Sequence, residues 1–391
     1  MQSEPGNDPG LPLTLLRQLT PQLPGMLSTL RKFVLRESPS LEKVAADRCC
    51  GIVATEWRKA GARVERIAQK NRGDHLRMEW LPNGKIRARG QLLVLGHYDT
   101  VYATGTLAKM PFRIASGKAY GPGTFDMKAG IVQALFALEA LRKCRAPVRK
   151  GIVFLWTSDE EIGSGCSRKL IETEARRSDA VFVLEPSFGP RGLLKTTRKG
   201  VGEAEIIVHG RASHAGLAPQ EGVNAVHELA QQIAHIQKWN DLRRGISVNA
   251  DVIEGGTRVN VIAERARALI DLRALTITDM RQLERRLRAL KPIARGARLE
   301  VRGGFNRAPM ERKVSAELFA RAKALAAQMK FRIEDCVAGG GSDGNLTAAL
   351  GVPTLDGLGA VGDGAHSAHE HVLIKTMPQR AALLAALLAA S

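Results

Sequence analysis

His97 and Asp99 stand two positions apart at the end of the apolar run Leu92-Leu93-Val94-Leu95-Gly96. A buried strand there delivers an imidazole and a carboxylate at its carboxyl end, the place where ligands sit in open α/β sheets. Period-two geometry puts both side chains on one side, so the carboxylate can hold one ring nitrogen while the other meets a metal. Read alone, the pair serves equally well as a satisfied histidine at a strand end. The apolar run Gly151 to Thr157 leads straight into Ser158-Asp159-Glu160-Glu161, three consecutive acids whose mutual repulsion a cation would remove. Asp179 to Leu184 follows the same plan and ends in Glu185-Pro186. Three strands in succession therefore end in His97, Glu161 and Glu185, and the repetition says more than any one member. Asp126 lies between the loop Gly121-Pro122-Gly123 and a helical stretch, Met127 to Lys143. A carboxylate there either caps the helix or bridges metals.

Further residues with chemical potential are less decisive. Gly339-Gly340-Gly341 before Ser342-Asp343 either cradles an anion at a helix N-terminus or supplies a helix cap. His366, His369 and His371 crowd one short segment. His214 and Asn260 sit in two segments of distinctive composition, Gly210 to Gly216 and Thr257 to Ile262, whereas His209, His227 and His235 read as strand or helix surface residues.

The elements that must position these groups form an α/β pattern. At 391 residues the chain exceeds one ordinary core, and two domains are expected. Met1 to Asn7 reads as loose. Helices follow at Leu11 to Gln18, Gly25 to Glu37 and Leu41 to Ala60, then a strand at Arg63 to Ile67 and a strand and turn within Asn71 to Asn83. From about Lys199 the style changes to strand (Ala204 to His209), helix (Gly222 to Trp239), strand (Ile246 to Glu254), strand (Arg265 to Leu272), helix (Thr278 to Ile293) and strand (Arg298 to Arg302). That β-α-β-β-α-β order is ferredoxin-like, an α+β insert. A helix from Val314 to Lys330, a strand at Val352 to Leu355 and a C-terminal amphipathic helix return to the first style. The expected division is 1–198, an insert at 199–305, and 306–391.

Composition narrows the class. With 44% hydrophobic residues and no long low-complexity tract, the chain folds. Glu4, Asp8 and several prolines near the start argue against a signal peptide, and no stretch reads as a membrane span. Five cysteines without a CxxC pair suit a reducing, cytoplasmic setting. The formal net charge of +19 is spread in short groups such as Arg176-Arg177, Arg243-Arg244 and Arg285-Arg286, and only 4% of residues are aromatic. A generally basic surface explains this better than a nucleic-acid footprint.

Taken in order, GHYDTVY, GPGTFDMKAG, TSDEEIGS, VLEP, GRASHAG, RVNVI, DLR, GGGSDGN and GAHSAHE resemble the M20 family of zinc-dependent peptidases and amidohydrolases. Within it, the chain resembles bacterial glutamate carboxypeptidases of the carboxypeptidase G2 type, over nearly everything after about Lys32. The resemblance implies a zinc-peptidase-like catalytic domain, a mixed sheet flanked by helices, interrupted by a lid domain through which two subunits form a homodimer. It implies two zinc ions per subunit, for which cobalt or manganese would fit the same ligands. His97 and Glu185 would hold one ion, Glu161 and His366 the other, and Asp126 would bridge them. His366 is chosen over its neighbours because HSxxE, ending in Glu370, matches the family spacing. Asp99 would orient His97. Glu160 would be the general base, taking a proton from the attacking water and passing it to the leaving nitrogen. In the lid, His214 resembles an oxyanion stabiliser, and Asn260 and Arg273 resemble residues that hold the substrate's carboxylate end. Glutamate-releasing relatives carry a lysine where Leu193 aligns, so Arg191 or Lys195 would have to substitute.

The function so implied is amide hydrolysis releasing a C-terminal amino acid, glutamate among the candidates, from an N-acyl amino acid or small peptide. Deacylation of the acetylornithine deacetylase or aminoacylase kind is the neighbouring alternative. A catalytically silent, basic binding protein on the same scaffold is the alternative from another class.

Overall fold

Leu92 and Val94 enter one hydrophobic cluster while Leu93 and Leu95 enter another. The strand Gln91–His97 is thus buried on both faces, which is why its sequence is continuously apolar rather than alternating. In the computed structural model, which describes residues 10–82 and 90–391, this strand lies within a six-stranded sheet. Across that sheet the order is Arg63–Ile67, His75–Trp80, Gly151–Thr157, Gln91–His97, Ala180–Val183, Thr354–Leu355. The first two junctions are antiparallel and the last three parallel, so the sheet is mixed. The larger cluster draws on helices Leu23–Val34, Lys43–Lys59, Ala129–Lys143, Arg312–Gln328 and Met377–Ala390. Arg168–Arg176 and Asp343–Ala349 supply Ile171, Ala175 and Leu346 to the other face.

The chain divides into two compact units. One contains the residues up to Thr196 with Arg312–Val337 and Ser342–Ser391; the other contains Thr197–Glu311 with Ala338–Gly341. The second unit is an antiparallel four-stranded sheet in the order Ser247–Gly255, Arg265–Ala274, Gly200–His209, Arg298–Arg307, with helices Ala225–Gln237 and Ile277–Arg288. Both edge strands pair only through the two inner ones, the arrangement of a ferredoxin-like β-α-β-β-α-β unit. Along Arg265–Ala274 burial alternates strictly, and Ala266, Ala268, Ile270 and Leu272 form the core beneath the helices.

Several local expectations change. The last strand of this unit runs to Arg307 rather than stopping at Arg302, because Gly303 at φ 78° carries the pairing past the glycines. A Cβ at that position would collide with the Glu203 carbonyl oxygen, so the strand can continue only with glycine there. The C-terminal helix Met377–Ala390 is not amphipathic. It is buried on nearly all sides, as its Ala-Leu composition permits, since small residues separate the leucines where polar ones would mark a solvent face. The helix expected from Met127 begins at Ala129. Ser342 caps Asp343–Ala349: its Oγ accepts the Gly344 N–H, and Asn345 Oδ1 accepts the Ser342 N–H at 2.9 Å. The glycine-rich segment before it therefore leads into a closed capping box. Met1 to Asn7 and Asn83 lie outside the described residues. Among the described residues no helix is long and apolar enough to cross a membrane.

Candidate metal centre

His97 is 1% exposed at the end of its central strand. Gly96 before it is forced by packing, since a Cβ there would collide with Met127 Cε. The ring's Nδ1 lies 3.1 Å from the Asp99 carbonyl and 3.4 Å from Asp99 Oδ1. Its Nε2 lies 3.2 Å from Asp126 Oδ1 and 3.4 Å from Glu185 Oε1. With the Nδ1 proton given to Asp99, a neutral ring aims its Nε2 lone pair at two carboxylates, which repels unless a proton or cation intervenes. Burial opposes charging the ring, but hydrogen bonding to Asp126, Asp99 and Glu185 holds its pKa well above the usual histidine range. Asp99 also braces the next turn, where its Oδ1 and Oδ2 accept the backbone N–H groups of Glu160 and Glu161 at 3.4 and 3.3 Å. Ser40 Oγ donates to the same carboxylate at 2.7 Å.

Asp126 does not cap a helix. Its backbone is non-helical at φ −112° and ψ 97°, inside the turn Thr124–Lys128, and its carboxylate faces the two imidazoles. Glu370 shapes this turn. Its Oε1 accepts the N–H groups of Phe125 and Asp126 at 2.7 and 3.0 Å, and its Oε2 accepts Gly123 N–H at 3.1 Å and Tyr102 Oη–H at 2.7 Å. Neither Glu370 in this role nor Tyr102 is legible as a positioning residue from the sequence; the one signal is the fixed distance of Glu370 from His366 in HSxxE. Burial pushes the Glu370 carboxyl up to about 7 despite these donors.

Glu161 and His366 complete the constellation. After the strand Gly151–Thr157 the chain enters the short turn Glu160–Ile162, and Glu161 Oε2 lies 3.1 Å from His366 Nε2. The same nitrogen is 3.5 Å from Asp126 Oδ2. His366 is held at φ 61°, a left-handed backbone that non-glycine residues rarely adopt. Hydrogen bonds that the protonated ring donates to Asp126 and Glu161 push its pKa up to about 10. The other two histidines point elsewhere: His369 Nδ1 contacts Ser367 Oγ, and His371 Nδ1 contacts the His369 carbonyl. The three consecutive acids do not act together, because Asp159 turns away to accept the N–H groups of Cys166 and Ser167 at 2.7 and 3.3 Å.

Two triads result, His97-Asp126-Glu185 and Asp126-Glu161-His366, each with ligand atoms within 4.8 Å of one another and sharing Asp126. Glu161 Oε1 is buried without a hydrogen-bond partner, and the buried Asp126 Oδ1 faces a His97 Nε2 that, in the neutral ring with its proton on Nδ1, has no hydrogen to give it. Orphaned carboxylate oxygens converging with imidazole nitrogens are costly in a bare protein and favourable around cations. The donor set, imidazoles and carboxylates, suits zinc and leaves room for a shared carboxylate bridge.

His214, Asn260 and Arg273 belong to the other unit. His214 and Val261 form an isolated bridge, and the Asn260 carbonyl accepts Ala215 N–H at 3.0 Å, so His214 and Asn260 are close neighbours on an exposed surface. Arg273 is clasped by Asp271, with Nη2 to Oδ1 at 2.8 Å and Nε to Oδ2 at 3.0 Å. Arg191 is paired with Glu334 at 2.6 Å. His209 contacts Glu300, and His227 and His235 are exposed on their helix.

Residues 93–390 match the pattern of Peptidase family M20/M25/M40. The chain is 31% identical over 386 residues to carboxypeptidase G2 of Pseudomonas sp. (strain RS-16), covering 96% of this chain and 91% of that one. It is 29% identical over 322 residues to succinyl-diaminopimelate desuccinylase of Thioalkalivibrio sulfidiphilus (strain HL-EbGR7), covering 78% and 85% of the two chains. Its fold is similar to that of a dinuclear metal-binding peptidase from the M20 family of Bacillus subtilis, with a TM-score of 0.69, 16% identity, and 96% and 98% of the two chains covered. Match, relatives and fold converge on one conclusion: the chain is a metal-dependent hydrolase belonging to peptidase family M20/M25/M40.

Proposed function

We propose that this hydrolase cleaves an amide bond to release a C-terminal amino acid from N-acyl amino acids or small peptides, using two zinc ions. The observation that carries the reading is the pair of triads sharing Asp126, with Glu160 next in sequence to Glu161, in a chain similar along nearly its whole length to a carboxypeptidase. His97 and Glu185 would hold one ion, Glu161 and His366 the second, with Asp126 between; cobalt or manganese would suit the same atoms. Bound zinc supplies Lewis acidity, polarising the scissile carbonyl and making water easier to deprotonate at neutral pH.

The protein's own groups do the rest. Glu160 takes the proton of the attacking water and delivers it to the leaving nitrogen. Asp99 fixes the His97 ring and, through its bonds to the Glu160 and Glu161 backbone, the turn from which the base projects. His214 stabilises the oxyanion, and Arg273 with Asn260 grips the free carboxylate of the substrate. Because Asp271 already occupies the Arg273 guanidinium, a substrate carboxylate would share that cation with it. Asp271 then tempers affinity for acids and holds the fork in position. A second carboxylate, as in glutamate, would need another cation near Leu193, and Arg191 is engaged by Glu334. The molecule would act as a homodimer joined through the inserted unit, in a reducing cytoplasm that suits a chain whose cysteines form no disulfide among the described residues.

The likeness to a desuccinylase supports a second reading, an N-acyl amino acid deacylase that recognises the acyl group instead. One panel of N-acyl amino acids, varied separately in acyl and amino-acid parts and offered to the zinc-loaded protein, separates the two. The carboxypeptidase reading expects kcat/KM to depend chiefly on the amino acid; dependence chiefly on the acyl group favours the deacylase. Metal binding without hydrolysis of any member would leave a silent binding protein.

A further inference from the structure

Outside the shared-carboxylate centre, the described residues contain one more group of metal-ligating side chains, His75, Asp159 and Cys166, whose ligand atoms lie within 4.8 Å of one another. We propose that these three bind a separate thiophilic divalent cation, zinc by class, which ties the start of the strand His75–Trp80 to the segment running from the Glu160–Ile162 turn into helix Arg168–Arg176.

His75 is wholly buried, and its hydrogen bonding fixes which nitrogen can bind. Ser158 Oγ donates its proton to the Gly73 carbonyl, so toward the His75 Nδ1 at 3.2 Å it can only accept. The ring proton therefore sits on Nδ1 and the Nε2 lone pair is presented outward. Proteins orient a ligating imidazole by a hydrogen bond of this kind to its other nitrogen. Nε2 lies 3.6 Å from Cys166 Sγ, across which a bound ion would stand. Asp159 is 1% exposed; Oδ2 accepts the Cys166 and Ser167 N–H groups, the Cys166 thiol and the Ser167 side chain also lie against the carboxylate, and Oδ1 is buried without a hydrogen bond of normal geometry. An orphaned carboxylate oxygen beside a thiol and an oriented imidazole is a poor structural ending and a good ligand set.

The chemistry distinguishes this group from the centre already described. That centre offers only nitrogen and oxygen, whereas Cys166 adds sulfur, which favours zinc and its neighbours over magnesium or calcium. Cys166 is exposed, so a cation can reach it from solvent. Three protein ligands leave the fourth position of a tetrahedral ion to water. Binding forms bonds from the metal to Nε2, the carboxylate and Sγ, and the thiol proton leaves to solvent, since sulfur binds as thiolate.

Cobalt provides a readout that the other centre cannot give. The full-length protein titrated with Co2+ is expected to show a near-ultraviolet thiolate-to-cobalt charge-transfer band whose final amplitude corresponds to one thiolate-bound cobalt per chain, whatever the other centre takes up. The band is expected to vanish in Cys166→Ser and to persist in Asp126→Ala, a variant aimed at the other centre. In the Asp126→Ala background zinc, but not magnesium, should slow alkylation of Cys166 by a maleimide by at least about tenfold. A band absent from the wild type, a band that survives Cys166→Ser, or alkylation indifferent to zinc would each overturn the proposal. None of these readouts depends on whether the protein hydrolyses amides.

Discussion

Glu370 Oε1 accepts the backbone N–H of Asp126 at 3.0 Å, so the acid that closes HSxxE suspends the carboxylate shared by both ligand triads. Its other bonds, to Phe125, Gly123 and Tyr102, fix the rest of the turn. Glu370→Gln replaces one accepting oxygen by a donating amide that faces either the Phe125 and Asp126 N–H groups or the Gly123 N–H and the Tyr102 hydroxyl. The variant should fold, because the change is isosteric, yet lose about ten- to a hundredfold in zinc affinity, the usual cost of removing an outer partner of a metal ligand. Competitive zinc titration measures this. An unchanged affinity with normal circular dichroism would show that the turn holds Asp126 without Glu370.

Zinc should also stabilise the fold. His97, Asp126, Glu161, Glu185 and His366 bring acids together in a mostly buried space, and a ligand that binds only the folded state adds stability by mass action, about 2.7 kcal/mol at a hundred times its Kd. Chelation should lower Tm, and zinc should raise it with the logarithm of its concentration. Asp126→Ala should remove the part of that dependence that comes from this centre, and any zinc response that survives should be lost when Cys166→Ser is added. A Tm indifferent to both chelator and zinc would contradict the ligand assignment.

How much of this the sequence reveals depends on whether the information is local. The strand ends carrying His97, Glu161 and Glu185 are legible because a continuous apolar run terminated by a polar residue is a short-range signal. The order of elements in the insert is legible for the same reason. The role of Glu370 is not, since it bonds to a turn far away in sequence, and neither is the divergence of Asp159 from Glu160 and Glu161, which rests on the direction of one side chain. The Asp126 turn escapes as well: composition favours helix from Met127, but long-range hydrogen bonds hold the backbone open until Ala129. Propensity yields to tertiary contacts where a site requires a particular carboxylate orientation.

Glu160→Gln should separate chemistry from metal binding. The side chain keeps its size and the backbone bond from Glu160 to Asp99 is untouched, so zinc content should stay at the wild-type value. Turnover should fall by about a hundredfold or more, as the loss of a general base predicts. Metal analysis with steady-state kinetics checks both halves. Near-normal kcat would move the base role to another group.

Arg273 and Asp271 form a pair whose two members should behave oppositely. Arg273→Ala should raise KM sharply for substrates with a free carboxylate and leave their esters nearly unaffected. Asp271→Asn, which removes the competing anion, should lower KM for the acids. Equal changes for acids and esters would reduce Arg273 to a surface ion pair.

His214 should act across a dimer. Its Nδ1 accepts the N–H groups of Gly216 and Leu217 at 3.2 and 3.1 Å, so the ring proton sits on Nε2 and makes that atom a donor. The residue is exposed in a turn of small residues, and the proposed metal ligands all come from the other unit, which leaves this imidazole donor outside both proposed ligand sets. A donor of this kind stabilises a tetrahedral oxyanion by about 3 kcal/mol, or about a hundredfold in kcat. If it serves the partner's centre, activity is tied to assembly. Glu160→Gln and His214→Ala proteins should each be nearly inactive alone. After subunit exchange, heterodimers contain one centre with an intact Glu160 and an intact His214 contributed by the opposite chain, and activity should return in proportion to their fraction. Were the histidine to act within its own chain, each subunit of the mixture would still lack one of the two groups, and verified exchange would restore nothing.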